Sequence, residues 1–205
     1  APASKQEFIY AAFSAAGEPL GYAAFKKQDE PDGRNLVCSR FCFADKGGFE
    51  ELMRLYKSLS SDHRFVKFST PANPAMQYFM PEWSLGAVSW SVQSAGMVRA
   101  VNVKSVLEKA RYIGSGTVCV AVQDSQIPEN NDSFAVTFAD GRAASVTRGG
   151  EADAVMTVPT FSALIAGVWD FTEARGALPG LEVKRENPCL NQVFFRKPLM
   201  IANYF

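Results

Sequence analysis

The sequence predicts an α/β (α+β) fold made of a mixed sheet with helices followed by a second sheet with helices. Three observations predict it. Strand-like alternation and helix-period apolar spacing interleave through the first 95 residues in the order β-β-β-α-β-α-β. A second series of strand and helix signals starts near Gly96 and is centred on Asp140-Gly141, a strong hairpin signal. The 205 residues are 47% hydrophobic and 20% charged, the make-up of an ordinary globular protein with room for one large or two small domains. The expected domains are 1–95 and 96–205.

In chain order, runs 7–13 and 20–27 are β-like and joined by Ser14-Ala15-Ala16-Gly17-Glu18-Pro19, a hairpin connection. A polar loop with Asp29, Pro31, Asp32 and Gly33 leads to a strand over 35–43, where Val37, Ser39, Phe41 and Phe43 are expected to share one face. Lys46-Gly47-Gly48 breaks that strand. Phe49, Leu52, Met53, Tyr56 and Leu59 recur at helical spacing opposite Glu50, Glu51, Arg54 and Lys57, so an amphipathic helix should lie on the sheet. A short strand follows at 64–69. Asn73-Pro74 starts a helix that Pro81 ends, and 87–94 alternates Val88, Trp90 and Val92 on one face.

In the second part, Asn102 caps a helix carrying Val103, Val106, Leu107 and Ala110. A strand over 117–123, a polar loop over 124–132 and a hairpin of 134–139 with 142–148 come next. Gly149-Gly150 turns the chain into a strand at 152–158. Pro159-Thr160 opens a helix reaching Gly167, and looser helix runs to about Gly176. Asn187-Pro188 is expected to open a last helix that Pro198 ends.

Lys plus Arg equals Asp plus Glu at 21 each, and each half is balanced on its own. Neither a nucleic-acid partner nor an anionic membrane is indicated, and no apolar run reaches membrane-span length. Cys38 and Cys42, four apart in a strand, stand about 13 Å from each other, too far for a disulfide. With one histidine, no Cys-x-x-Cys pair and no Cys/His cluster, no metal site is expected, and the setting reads as a reducing cytoplasm. His63, beside Asp62 after a helix, reads as a surface residue. Trp83, Trp90 and Trp169 read as core or pocket-wall residues.

The last stretch, Lys197-Pro198-Leu199-Met200-Ile201-Ala202-Asn203-Tyr204-Phe205, is more apolar than a free end usually is. On the residues alone it is a strand or plug completing the core. If it is buried, the α-carboxylate of Phe205 is buried with it, and desolvation raises its affinity for a proton.

Met97-Val98-Arg99, Val101-Asn102-Val103, Leu107, Arg111-Tyr112, Asp124, Asn130-Asn131-Asp132-Ser133-Phe134, Ala152-Asp153-Ala154 and Phe161-Ser162-Ala163-Leu164-Ile165-Ala166-Gly167, in this order and with terminal Phe205, carry a resemblance. The second part resembles the sterol-carrier-protein-like domain closing the enhanced-intracellular-survival (Eis) branch of the GCN5-related N-acetyltransferases (GNAT). The first part resembles the later portion of that family's degenerate middle acetyltransferase domain. The resemblance implies that the chain is the C-terminal portion of a three-part enzyme whose first domain, outside this chain, binds acetyl-CoA and carries the general acid. It implies Phe205 as the catalytic base for the incoming amine and Tyr204 as an acceptor-pocket residue. Asn102 stands where the family has an acceptor-binding Asp, so it keeps the cap but not the charge. The implied partners are small-molecule or peptide amine acceptors and, in the full-length protein, further copies of itself.

The stretch equivalent to the acetyl-CoA loop, Phe43-Ala44-Asp45-Lys46-Gly47-Gly48, lacks the Gln/Arg-x-x-Gly-x-Gly/Ala pattern, and Asp45 would repel a phosphate. It reads as a turn and helix start before it reads as an anion nest. No cofactor is expected to bind this chain, which alone should not acetylate. Arg99 reads as the partner of a buried carboxylate. The competing readings are a lipid-binding sterol-carrier module and a purely structural or assembly role.

Overall fold

A computed structural model of the protein describes residues 7–31, 33–70, 89, 91 and 96–199. They form a mixed α/β architecture in two compact units, one of residues up to 91 and one of residues 96–199.

The first unit is a four-stranded sheet in the order β1-β2-β3-β4, from β1 (Phe8–Phe13), β2 (Pro19–Glu30), β3 (Gly33–Phe43) and β4 (Val66–Lys67). The first three are antiparallel and β4 runs parallel to β3. The β1–β2 turn is held by Ser14, whose Oγ accepts from the N–H groups of Ala16 and Glu18. The expected polar loop after residue 27 is much shorter: β2 continues to Glu30, and the turn is strapped by Arg34 Nε donating to Asp29 at 2.7 Å.

Helix α1 (Lys46–Ser58) covers the sheet with Phe49, Leu52 and Tyr56. The rings of Phe49 and Tyr56 meet Phe25, Phe41 and Phe43 in stacked and edge-on pairs. Tyr56 and Cys38 are hydrogen-bonded in this core at 2.9 Å, and burial raises both their pKa values.

The expected single face of β3 is corrected by a bulge. Pairing with β2 steps from Cys38 directly to Arg40, leaving Ser39 as the extra residue. One inserted residue reverses the alternation. Leu36 and Cys38 therefore bury before the bulge, Phe41 after it, while Ser39 is exposed. His63 is also corrected: it is only 8% exposed, because the turns after α1 fold back and bring Nδ1 within 3.0 Å of the Leu59 carbonyl. The readings placed on 73–88 and on Trp90 and Val92 lie outside the described residues.

The second unit is a five-stranded sheet in the order β7-β6-β5-β8-β9, from β5 (Gly116–Gln123), β6 (Asp132–Ala139), β7 (Arg142–Arg148), β8 (Ala154–Thr157) and β9 (Leu181–Val183). Only β5 and β8 are parallel. Asp140 (φ 52) and Gly141 (φ 78) make the two-residue turn that their sequence requires. Helices α2 (Val103–Lys109), α3 (Val158–Ile165), α4 (Phe171–Ala177) and the short α5 (Leu190–Val193) accompany this sheet. Fully buried Leu107, Phe134, Phe161, Leu164 and Phe194 lie in its core. The expected last helix ends at Val193, well before Pro198, and β9 is a strand that sequence reasoning did not find.

Candidate functional site

The second unit holds a cleft of about 530 Å³, within the 300–1,000 Å³ of small-molecule sites. Val98 and Val101 line it from the segment before α2, Val106 and Lys109 from α2, Ile165 and Ala166 from the end of α3, and Lys197 from the tail. Asn102 lines it as well.

The approach to α2 is fixed by a buried carboxylate. Asp124, with no side-chain exposure, accepts from Arg99 Nη2 at 2.6 Å, the N–H groups of Gln126 and Ile127, and Asn130 Nδ2 at 2.9 Å. The Asn130 amide, helped by the two backbone N–H groups and Arg99 and opposed by burial, holds Asp124 down to about 2. Asn130 Oδ1 in turn accepts the N–H of Val103, the first residue of α2. Ser162 of α3 accepts the N–H of Ala100 at 2.9 Å. The reading of Arg99 as partner of a buried carboxylate describes this arrangement.

Asn102 is the N-cap of α2: its Oδ1 accepts from Ser105 N–H at 2.9 Å. That oxygen is committed to the helix, while the residue also lines the cleft. Asn102→Ala should cost about 1 kcal/mol, read as an earlier urea midpoint, whereas Asn102→Asp should keep the cap and stay within a few tenths. Equal losses in both would remove the capping role.

Opposite α2, Lys197 is held at both ends. Its backbone N–H donates to the Gly167 carbonyl at 3.1 Å, and its Nζ donates to the Ile165 carbonyl at 2.9 Å. Nζ also lies 4.6 Å from the centre of the Phe195 ring. Burial pulls the ammonium down to about 8. Sequence reasoning treated Lys197 only as the start of the tail. The missed signal is its place two residues before an apolar run and three after the buried Phe194.

The two chain-end residues expected to act, Phe205 and Tyr204, lie outside the described residues. At the start of α1, Asp45 Oδ1 accepts the Gly48 N–H at 2.9 Å. That N–H is therefore already taken by the cap of α1. Among the described residues no group of three His, Cys, Asp or Glu side chains is placed to hold a metal ion. Among them, too, no helix is long and apolar enough to cross a membrane.

Residues 103–178 match the model of the sterol carrier protein domain. Compared by sequence with curated proteins, the chain has no match. Among solved structures it is similar to a GCN5-related N-acetyltransferase from Anabaena variabilis, with a TM-score of 0.77 and 19% identity over 98% of this chain and 52% of that one. A probable N-acyltransferase from Enterococcus faecalis also gives 0.77, at 20% identity over 98% and 51%. Eis1 from Mycobacterium abscessus gives 0.73, at 16% identity over 100% and 51%. The chain therefore spans about half the length of the structures it matches. Its fold is the mixed α/β fold of these structures, with a sterol-carrier match over 103–178.

Proposed function

We propose that the chain serves as the C-terminal part of an acetyl-CoA-dependent N-acetyltransferase for amine acceptors, in a full-length protein that assembles from several copies. The supporting observation is a fold likeness running through both units to GCN5-related N-acetyltransferases about twice as long. In this reading a preceding domain holds acetyl-CoA, which supplies the acetyl group. Tyr204 and Asn102 line the acceptor pocket. The α-carboxylate of Phe205 takes the proton from the acceptor ammonium, because only the neutral amine has a lone pair to attack with.

The test is one Gly appended after Phe205 in the full-length polypeptide, which moves the carboxylate by one residue and leaves every side chain in place. Turnover is expected to fall about 100-fold, the lower range for losing a positioned base. Undiminished turnover sinks the catalytic role of the chain end.

A second reading has its own support. The apolar cleft adjoins the sterol-carrier match, and its size suits a small lipid. Native mass spectrometry of the purified chain would then show a co-purifying lipid. A lipid-free mass with no uptake of a fluorescent fatty acid sinks this reading.

A further inference from the structure

We propose that Lys197 is an acylation site, whose amine takes up a short- or medium-chain apolar acyl group from a thioester with an anionic carrier, inside the cleft between α2 and the end of α3. This goes beyond the acetyltransferase reading: the reacting amine is the chain's own, and Phe205 has no part in the step.

The cleft supplies the selection. Val98, Val101, Val106, Ala110, Ile165 and Ala166 give it an apolar wall suited to a hydrocarbon chain. The charged groups that line it besides Lys197 are Lys109 and Arg111, and no Asp or Glu is among the described lining residues. Neighbouring charges are already matched: Glu108 faces Lys104 at 3.7 Å, and Arg196 meets Glu173 at 2.6 Å. A phosphate-bearing carrier therefore finds two cations at the cleft, and an apolar acyl group finds its apolar wall.

The amine is suited to the reaction. An ordinary lysine titrates near ~10.4, and burial brings Lys197 to about 8. At neutral pH that raises the neutral fraction by a factor of roughly 200. A Brønsted slope of about 0.5, the size seen for thiolate nucleophiles, takes back roughly 16-fold of this. A net advantage of about tenfold remains.

In the step, the neutral amine attacks the thioester carbonyl carbon. The C–N bond forms, the C–S bond breaks, and the carrier leaves as thiolate. The surplus proton on nitrogen passes to solvent. An amide and a thiol result, with no change of oxidation state. A thioester suits this cleft better than an aldehyde does. Imine formation must expel an oxygen as water, which wants an acid nearby, whereas a thiolate leaves unprotonated.

The experiment incubates the 205-residue chain at pH 7.5 with octanoyl-coenzyme A and, separately, with octanoyl-N-acetylcysteamine, which carries no phosphate. Acylated lysines are then mapped by peptide mass spectrometry. Lys197 is expected to react about tenfold faster than Lys57, which is exposed on α1. The coenzyme A ester should outpace the uncharged ester at Lys197. A Lys109→Ser/Arg111→Ser double variant should lose that preference several-fold. The rate at Lys197 should level off above about pH 8, and Lys197→Arg should remove the adduct. Octanoate itself, which is no acyl donor, should leave none, which separates acylation from lipid carriage. Equal rates at Lys197 and Lys57, or a rate at Lys197 still climbing at pH 10, overturns the proposal. Equal rates with the two esters overturn the anionic carrier.

Discussion

Asp153→Ala is expected to destabilise the second unit by about 1–3 kcal/mol, the cost of leaving a buried N–H without its acceptor, because the Arg185 side chain left behind is 56% exposed and regains water. Asp153 is 1% exposed and ties together three segments distant in sequence. Its Oδ2 accepts the Cys119 N–H of β5 at 2.8 Å and Asn187 Nδ2 at 2.9 Å, and its Oδ1 accepts Arg185 Nε at 2.7 Å. Its own backbone bonds to Cys119, Lys184 and Arg185 then set where β8 starts and where the chain leaves β9. With alanine the Cys119 N–H is the group that stays buried with no acceptor. Asp153→Asn keeps the shape and one acceptor, and should lose about half as much.

The pH dependence has a fixed sign. Burial pushes the Asp153 carboxyl up, but the Cys119 N–H, Arg185 and Asn187 together push harder, so the folded value lies below the ordinary one. A depressed acid stabilises the fold above its unfolded value, near ~3.9, and that contribution fades as pH falls through the folded value. The gap between wild type and Asp153→Ala in urea unfolding should therefore be widest above pH ~5 and narrow below pH ~4. Asp124, held at about 2, should keep its contribution until pH falls through that value. An Asp153→Ala loss under 1 kcal/mol, or a gap widening in acid, removes the carboxylate from its place as the unit's central tie.

What the sequence made legible was local. The Asp140-Gly141 turn follows from two residues that accept positive φ, and the Asn102 cap from a side chain within reach of its own helix. Helix α1 was readable because Phe49, Leu52 and Tyr56 repeat at its period. Elements decided by distant partners were not readable. The extra residue at Ser39 is visible only in pairing with β2, so the alternation of 35–43 put Val37 and Ser39 on the wrong side. Strand β9 has three residues and exists by pairing with β8. The last helix stops where Phe194 must turn into the core beside Phe161 and Phe171, which no pattern around Asn187 or Pro198 records. The cleft was half legible: Asn102 was singled out by likeness to a family, but Lys197 becomes interesting only once α3 ends beside it. Asp153 was seen as part of a motif, yet its partners lie 34, 32 and 34 residues away.

Gly167→Ala tests how Lys197 is held, and should cost about 2–5 kcal/mol, the sum of two separable penalties. Gly167 ends α3 at φ 80, where an L side chain costs roughly 1–2 kcal/mol. An added Cβ would also lie 2.4 Å from Lys197 Cβ and 2.5 Å from Lys197 N, atoms of a backbone that Gly167 itself binds. Overpacking of that kind adds about 1–3 kcal/mol. Two other glycines of the same unit separate the penalties. Gly149 has φ 93 with nothing within 4 Å of an added Cβ, so Gly149→Ala should show the conformational part alone, about 1–2 kcal/mol. Gly176 lies in α4 with open space and ordinary φ, so Gly176→Ala should raise stability by about 0.5–1 kcal/mol. Urea unfolding of the three variants should order them Gly176, Gly149, Gly167 from gain to greatest loss. Because the crowding falls on Lys197 and not on the cleft's other walls, Gly167→Ala should also reduce the acylation advantage of Lys197 over Lys57, and Gly149→Ala should leave it intact. If Gly167→Ala is no worse than Gly149→Ala in stability, the close approach of the tail to the end of α3 does not exist, and the amine it positions loses its support.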